Sequence, residues 1–232
     1  DVVNYISLHM YFENERNDVE AYLAQSAQLD AYITTVASII KFIKAKKRSE
    51  HDVYISFDEW NVWYHSREQD KKILGGAEGW PEAPPILEDI YNFEDVLQVG
   101  CILNTFLRHA DVVKVGCLAQ LVNVIAPIMT VENGPAWRQT TYWPFYFASK
   151  YGRGKVYDLA VNCPTYDTET FLKVPVPKVS AVKNVPYLDV TAVQSEADGA
   201  LTVFIVSRHL SETIDLDLAL EGFGACRVIE DK

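Results

Sequence analysis

Cysteine is scarce in this chain, and its placement excludes more than its number does. The four cysteines, Cys101, Cys117, Cys163 and Cys226, form no CxxC pair. Cys101 and Cys117 lie inside apolar runs, so the cysteines are read as buried free thiols of a reducing compartment, not as a disulfide framework or a zinc site. There is no HExxH and no His/Cys/Asp cluster at ligand spacing, so neither a metal nor any other cofactor is expected. Gly75-Gly76 and Gly152-Arg153-Gly154 lack the spacing and lysine of a phosphate loop. No apolar stretch is long enough to span a membrane as a helix. No signal peptide is visible, and since the chain enters a strand almost at once the true N-terminus is expected elsewhere.

Basic charge is also short. Lys and Arg number 21 against 32 Asp and Glu, a formal charge of −11. That balance offers no basic stripe for nucleic-acid phosphates and disfavours docking on anionic membranes. What remains is ordinary for a soluble globular protein: 49% hydrophobic, 23% charged and 12% aromatic residues, in a length suited to one large domain or two modest ones.

Residues 4–8 read as a short buried strand, followed by an aromatic-rich turn at residues 9–12. A helix then opens with Asn17 as N-cap and Glu20 three residues later, a capping-box spacing. Leu29, Ile33, Val36, Ile40 and Ile43 recur at helical period, and Lys44, Lys46, Lys47 and Arg48 gather where the helix dipole favours cations. A second strand covers residues 53–60, a long loop residues 64–92, and a second helix begins near Asn92 with Val96, Val99, Leu103, Phe106 and Leu107 on its apolar side. A third strand spans residues 112–119, and a last helix residues 137–151. This βα alternation, with strands nearly continuous in apolar residues, predicts a parallel sheet covered by helices. Past Gly152 the pattern changes to short alternating segments at residues 155–161, 188–193, 201–207, 213–220 and 225–229, punctuated by prolines. That grammar predicts an antiparallel β-sandwich from residue 153 to 232.

In a (β/α)8 barrel the reacting groups stand at the C-terminal ends of the strands. The first strand ends in His9 and Tyr11, the second in Asp58-Glu59-Trp60-Asn61-Val62-Trp63-Tyr64, the third in Gln120 and Asn123. Period-two alternation puts Glu59 on the face shared by Ile55 and Phe57, with Asp58 opposite. If that face is the barrel interior, Glu59 projects into its mouth, where a carboxylate can attack an anomeric carbon. Trp60, Trp63 and Tyr64 could offer flat surfaces to a sugar ring. The blander reading is that Asp58 or Glu59 caps a turn and the aromatics fill a core. His9 is open to three roles: a satisfied strand-end histidine, a donor to a neighbouring carboxylate or, least favoured, a metal ligand. His65, His109 and His209 read as surface or structural.

Six segments in order carry a family resemblance: Ser7-Leu8-His9-Met10-Tyr11, Asp58 to Tyr64, Leu87-Glu88-Asp89-Ile90-Tyr91-Asn92, Leu107-Arg108-His109-Ala110-Asp111, Leu118 to Pro127, and Ala136-Trp137-Arg138-Gln139-Thr140. Together they resemble α-L-arabinofuranosidases of glycoside hydrolase family 51. The resemblance implies an α/β fold, here the C-terminal part of a (β/α)8 TIM barrel (residues 1–152) followed by an incomplete antiparallel β-sandwich domain (residues 153–232). It implies a retaining, exo-acting enzyme that removes terminal arabinofuranosyl groups from arabinan, arabinoxylan or their oligosaccharides. Glu59 falls on the nucleophile, Tyr11 on the tyrosine beside the sugar, Gln120 on the glutamine that hydrogen-bonds the glycone, and Trp63 on an aromatic wall of the pocket. His9 matches a strand-end position near the nucleophile.

The family's acid/base glutamate lies in an Asn-Glu motif after an earlier strand, and no such motif follows a strand here; Asn14-Glu15 is in the wrong loop. The expected partners are therefore an arabinofuranosyl saccharide and the N-terminal part of the barrel, on the same longer chain or on another, with this fragment inactive alone. The resemblance further implies a homo-oligomer, commonly a hexamer, in the cytoplasm. Two other assignments remain: another retaining barrel glycosidase such as a β-xylosidase, which would share a strand-end Glu, or a non-catalytic carbohydrate-binding protein on a degenerate barrel, against which the intact Asp-Glu-Trp-Asn segment speaks.

Overall fold

A computed structural model describes residues 2–75, 81–172 and 178–232. Three strands, β1 (Tyr5–Phe12), β2 (Tyr54–Val62) and β3 (Val113–Leu118), form a parallel sheet in that spatial order. The first crossover is α1 (Val19–Leu23) and α2 (Gln25–Lys47), the second α3 (Arg67–Leu74) and α4 (Phe93–Arg108). Parallel neighbours require such crossovers, because a hairpin cannot return the chain in the same direction.

Leu8 and Phe12 of β1 and Ile55, Phe57, Trp60 and Val62 of β2 are buried with Leu29 and Ile33 of α2 and Val99 and Ile102 of α4 in one core. Each such side chain contributes about 1.5–3 kcal/mol by leaving water. Ser7 and His9, on the opposite face of β1, are exposed.

Several expectations change. The first strand runs on to Phe12, absorbing the expected turn. Its helix is capped by Asp18, whose carboxylate accepts from the Ala21 amide at 3.0 Å, while Asn17 takes a left-handed φ of 55°. That helix is also divided at Ala24, where Ser26 Oγ donates to the Leu23 carbonyl at 2.8 Å and so competes with the regular helix bonds. The long loop after β2 contains α3. Asn92 caps α4 with a full capping box through Asp95.

After β3 comes a hairpin, β4 (Ile128–Thr130) with β5 (Ala136–Arg138), and then α5 (Tyr142–Tyr151). The last helix therefore starts later than its periodicity predicts: the turn through Gly134 and Pro135 folds residues 136–138 back as a strand.

Beyond α5 the chain is antiparallel. β6 (Lys155–Tyr157), the pair β7 (Thr165–Tyr166) and β10 (Val185–Pro186), the pair β8 (Phe171–Leu172) and β9 (Lys178–Val179), then β11 (Leu188–Gln194) and β12 (Leu201–Ser207) make three small sheets, the largest ordered β12-β11-β6. Residues 213–220 and 225–229 form no strands. Their alternation faces no hydrogen-bonding edge among the described residues, and Leu218, Val228 and Ile229 are exposed; an alternating segment becomes a strand only when a ladder partner takes up its amides.

Helix α4 joins the two parts. Its Asn104 and Arg108 both bond the buried Asp189 of β11, at 2.9 and 2.8 Å, and Arg208 reaches the same carboxylate at 2.6 Å. Gly100 permits the close approach: a Cβ there would stand 3.0 Å from a Val206 methyl. Of the four free cysteines only Cys101 is fully buried, and burial raises its thiol to about 12; Cys117 and Cys226 are exposed, correcting the expectation of uniformly buried thiols.

Candidate active site at the strand ends

An extra residue in β2 decides which side chains face the open side of the sheet. Against β1 the pairing steps from Ser7–Ser56 to His9–Glu59, and against β3 from Phe57–Gly116 to Trp60–Leu118. In both cases β2 spends three residues where its neighbour spends two, the signature of a β-bulge.

Phe57 and Trp60, three apart, consequently both point into the helix layer, where each packs on Phe106 with ring centres 5.1 and 5.3 Å away. Asp58 and Glu59 both reach the opposite face. The expectation that Glu59 shares a face with Ile55 and Phe57 is thus overturned; those two are core residues.

On that face Ser7, His9 and Tyr11 of β1 meet the two carboxylates. Ser7 Oγ donates to Asp58 Oδ1 at 2.7 Å, and His9 Nε2 lies 3.1 Å from the same oxygen. His9 Nδ1 faces Glu59 Oε2 at 3.4 Å, and the Tyr11 hydroxyl donates to Glu59 Oε1 at 2.8 Å. The Ser7 hydroxyl, ahead of its own backbone amide and His9, holds Asp58 below the usual carboxylate range. Burial, then the Glu59 hydrogen bond, pushes the Tyr11 phenol well above its ordinary value, so it stays a donor. Glu59 itself is partly open, with a side chain 43% exposed. It is oriented by two neighbours and accessible from the side on which a ligand would arrive.

Trp63 follows β2, its amide donating to the Phe12 carbonyl at 3.0 Å, and its indole meets the Tyr11 ring edge-on at 5.7 Å. Gln120 stands apart. It is exposed in the loop after β3 and takes no part in the hydrogen-bonded cluster around Glu59, so the structure does not join it directly to the other four predicted residues. Asn61 forms the link: buried, it donates to the Ala119 carbonyl at 2.6 Å and also to the Ile125 carbonyl, bracketing Gln120.

The rim has its own scaffold. The carboxylate of Asp89, fully buried, accepts the amides of Tyr64, His65 and Ser66 at 2.9–3.0 Å and fixes the turn after Trp63. Gln139 joins the neighbouring loops, donating to the Asp89 and Ala126 carbonyls and accepting from the Tyr91 amide. Behind them His65 Nε2 pairs with Asp95 at 2.8 Å. These contacts explain why residues 87–92 and 136–140 stood out in the sequence without an evident role.

Sequence reasoning missed Ser7, Asp58 and Asn61 as parts of the site. Ser7 was detectable, since it continues the period-two series of His9 and Tyr11. So was Asp58: alternation puts it opposite Ile55 and Phe57, which are core residues, and the bulge then brings Glu59 to the same face. A cavity of about 490 Å3 lined by Arg108, Asp189 and Arg208 lies between α4 and the antiparallel part and shares no residue with this cluster. Among the described residues no group of three His, Cys, Asp or Glu is placed to hold a metal ion, and no helix is long and apolar enough to cross a membrane.

Residues 58–232 match the family described as "Alpha-L-arabinofuranosidase C-terminal domain". An intracellular exo-α-(1→5)-L-arabinofuranosidase of Halalkalibacterium halodurans is 47% identical over 99% of this chain and 43% of its own length. The enzyme of the same name from Bacillus subtilis is 47% identical over 98% and 42%. Among solved structures, a family 51 α-L-arabinofuranosidase from Bifidobacterium longum superposes with a TM-score of 0.72 at 32% identity, over 88% of this chain and 40% of that one. An α-L-arabinofuranosidase from Thermotoga maritima in complex with arabinose gives 0.69 at 27% identity, over 89% and 38%. The chain spans less than half the length of the curated relatives it matches.

Proposed function

Because this chain belongs to the α-L-arabinofuranosidases of glycoside hydrolase family 51, we propose that it supplies the nucleophile side of a retaining, exo-acting enzyme that removes terminal α-L-arabinofuranosyl groups from arabinan, arabinoxylan or arabino-oligosaccharides. The observation that carries this reading is the placement of Glu59: at the C-terminal end of β2, on the open face, with Tyr11 donating to one oxygen and His9 beside the other.

In the first step Glu59 attacks C1 of the sugar, the C1–O bond to the leaving group breaks, and a second carboxylic acid protonates the departing oxygen. In the second step that carboxylate takes a proton from water, whose oxygen attacks C1 and releases Glu59. Such a pair stands about 5–5.5 Å apart. The acid/base glutamate belongs to the rest of the barrel, outside these 232 residues, on the same longer chain or a partner chain, so this chain alone is inactive. Trp63 walls the sugar and Gln120 hydrogen-bonds it. Residue 152 closes the barrel part, the assembled enzyme is a homo-oligomer, and it works in the cytoplasm, in keeping with the intracellular enzymes it is similar to.

The test is chemical rescue in the full-length protein. Glu59→Ala should abolish hydrolysis of p-nitrophenyl α-L-arabinofuranoside, and azide should restore nitrophenol release with an inverted glycosyl azide. A retained azide, or undiminished hydrolysis, would overturn the nucleophile assignment. Arabinose release from arabinan by residues 1–232 alone would overturn the placement of the acid/base.

A further inference from the structure

The ring of Trp63 has no polar anchor. Its Nε1 is buried without a hydrogen-bond partner among the described residues, whereas a buried indole N–H ordinarily finds one. Two other contacts orient it: the edge-on Tyr11 ring, and the guanidinium of Arg67, 5.2 Å from the ring centre. Arg67 comes from α3, in the loop after β2. Its Nη1 is held by Glu13 at 2.5 Å and also by Glu15, both in the loop after β1. Its side chain is only 25% exposed and that of Glu13 17%.

We propose that Arg67 is a positioning residue: clamped by Glu13 and Glu15, it sets the angle of the Trp63 ring and makes the loops after β1 and β2 one wall of the sugar pocket. The role assigned to the wall rests on the functional reading above; the clamp itself does not. A planar guanidinium suits the task because it can lie over a ring while its edge binds carboxylates, which an ammonium cannot do equally well. With Nη1 committed to two carboxylates and the cation over Trp63, Arg67 acts through the indole. A wall that touches the sugar equally in the ground and transition states changes KM, not kcat.

The experiment uses the full-length enzyme with p-nitrophenyl α-L-arabinofuranoside. Arg67→Met should raise KM about threefold to tenfold and lower kcat no more than about twofold. Arg67→Lys should fall between it and wild type. Trp63→Phe combined with Arg67→Met should be no worse than the worse single variant, because both remove one wall. Glu13→Gln/Glu15→Gln, which leaves Arg67 in place, should shift KM in the same direction and covers the case in which Arg67→Met does not fold.

The Trp63 near-ultraviolet circular dichroism band, isolated by subtracting the Trp63→Phe spectrum in each background, should weaken without Arg67. An unchanged KM, additive effects of the two substitutions, or an unchanged band would each overturn the proposal. If the wild-type enzyme does not hydrolyse arabinofuranosides at all, the functional reading falls, and the band alone decides whether the clamp exists.

Discussion

The Tyr11 hydroxyl donates to Glu59 Oε1 across 2.8 Å, from one strand to the next, at the level where β2 carries its extra residue. The register pairs Tyr11 with Asn61, not Glu59. The phenol therefore reaches diagonally back along β2, as a long side chain can between neighbouring strands. The result is a carboxylate with one oxygen engaged by the phenol and the other beside His9, an arrangement that fixes its plane.

Removing that donor tests its worth. Tyr11→Phe keeps the ring against Trp63 and deletes only the hydroxyl. A hydrogen bond to a charged group is worth about 1.5–3 kcal/mol, so kcat/KM of the full-length enzyme should fall roughly 10- to 100-fold. A loss under twofold would show that Glu59 needs no help from Tyr11.

Asn61 should act at a distance. Asn61→Ala leaves the carbonyls of Ala119 and Ile125 without their shared donor, so the loop bearing Gln120 loosens. The expected loss is about 1–3 kcal/mol of stability for the two hydrogen bonds removed, read from urea unfolding, together with a raised KM. Unchanged values of both would separate Gln120 from this anchor.

His65 gives the fold a pH dependence with a defined sign. Burial alone would lower its pKa, but the hydrogen bond and charge of Asp95, with Asp89 and Glu94, outweigh burial and raise it. A group whose folded pKa exceeds the unfolded one, about 6.5, contributes fully below that value and loses its contribution as pH rises through the folded pKa. Wild type should therefore lose more stability than His65→Gln as pH rises above about 6.5. Parallel losses in urea midpoints would remove His65 from the account.

Arg208 should be costly to replace. Its side chain is 3% exposed and shares Asp189 with Arg108, while also donating to Ser26 and the Pro186 carbonyl. Arg208→Met deletes one partner of a buried ion pair, for which a loss of about 3–5 kcal/mol is expected. A thermal midpoint within a degree of wild type would contradict this.

Local chemistry carried much of this protein in its sequence. The helix start near Asn92, the helical period of Leu29 and Ile33, and the alternation across 188–193 and 201–207 each encode their element, because the required contacts lie within a turn or one strand of the residues that make them. The candidate site residues were named from their places at or just past strand ends, where a parallel barrel gathers its chemistry, and from the family resemblance that gave His9, Tyr11, Glu59, Trp63 and Gln120 their roles.

What only the tertiary structure decided depends on neighbours remote in sequence. The bulge that turns Asp58 and Glu59 to the same face comes from the pairing of β2 with both β1 and β3, and period-two counting along β2 alone puts Glu59 with the core residues Ile55 and Phe57. Residues 213–220 have a strand's pattern but no ladder to join among the described residues. Arg67 reaches Trp63 and the two glutamates only because parallel strands bring the loops after β1 and β2 to the same edge of the sheet. A pattern records which side chains a segment can bury; which face it presents, and to whom, is settled by the strand beside it.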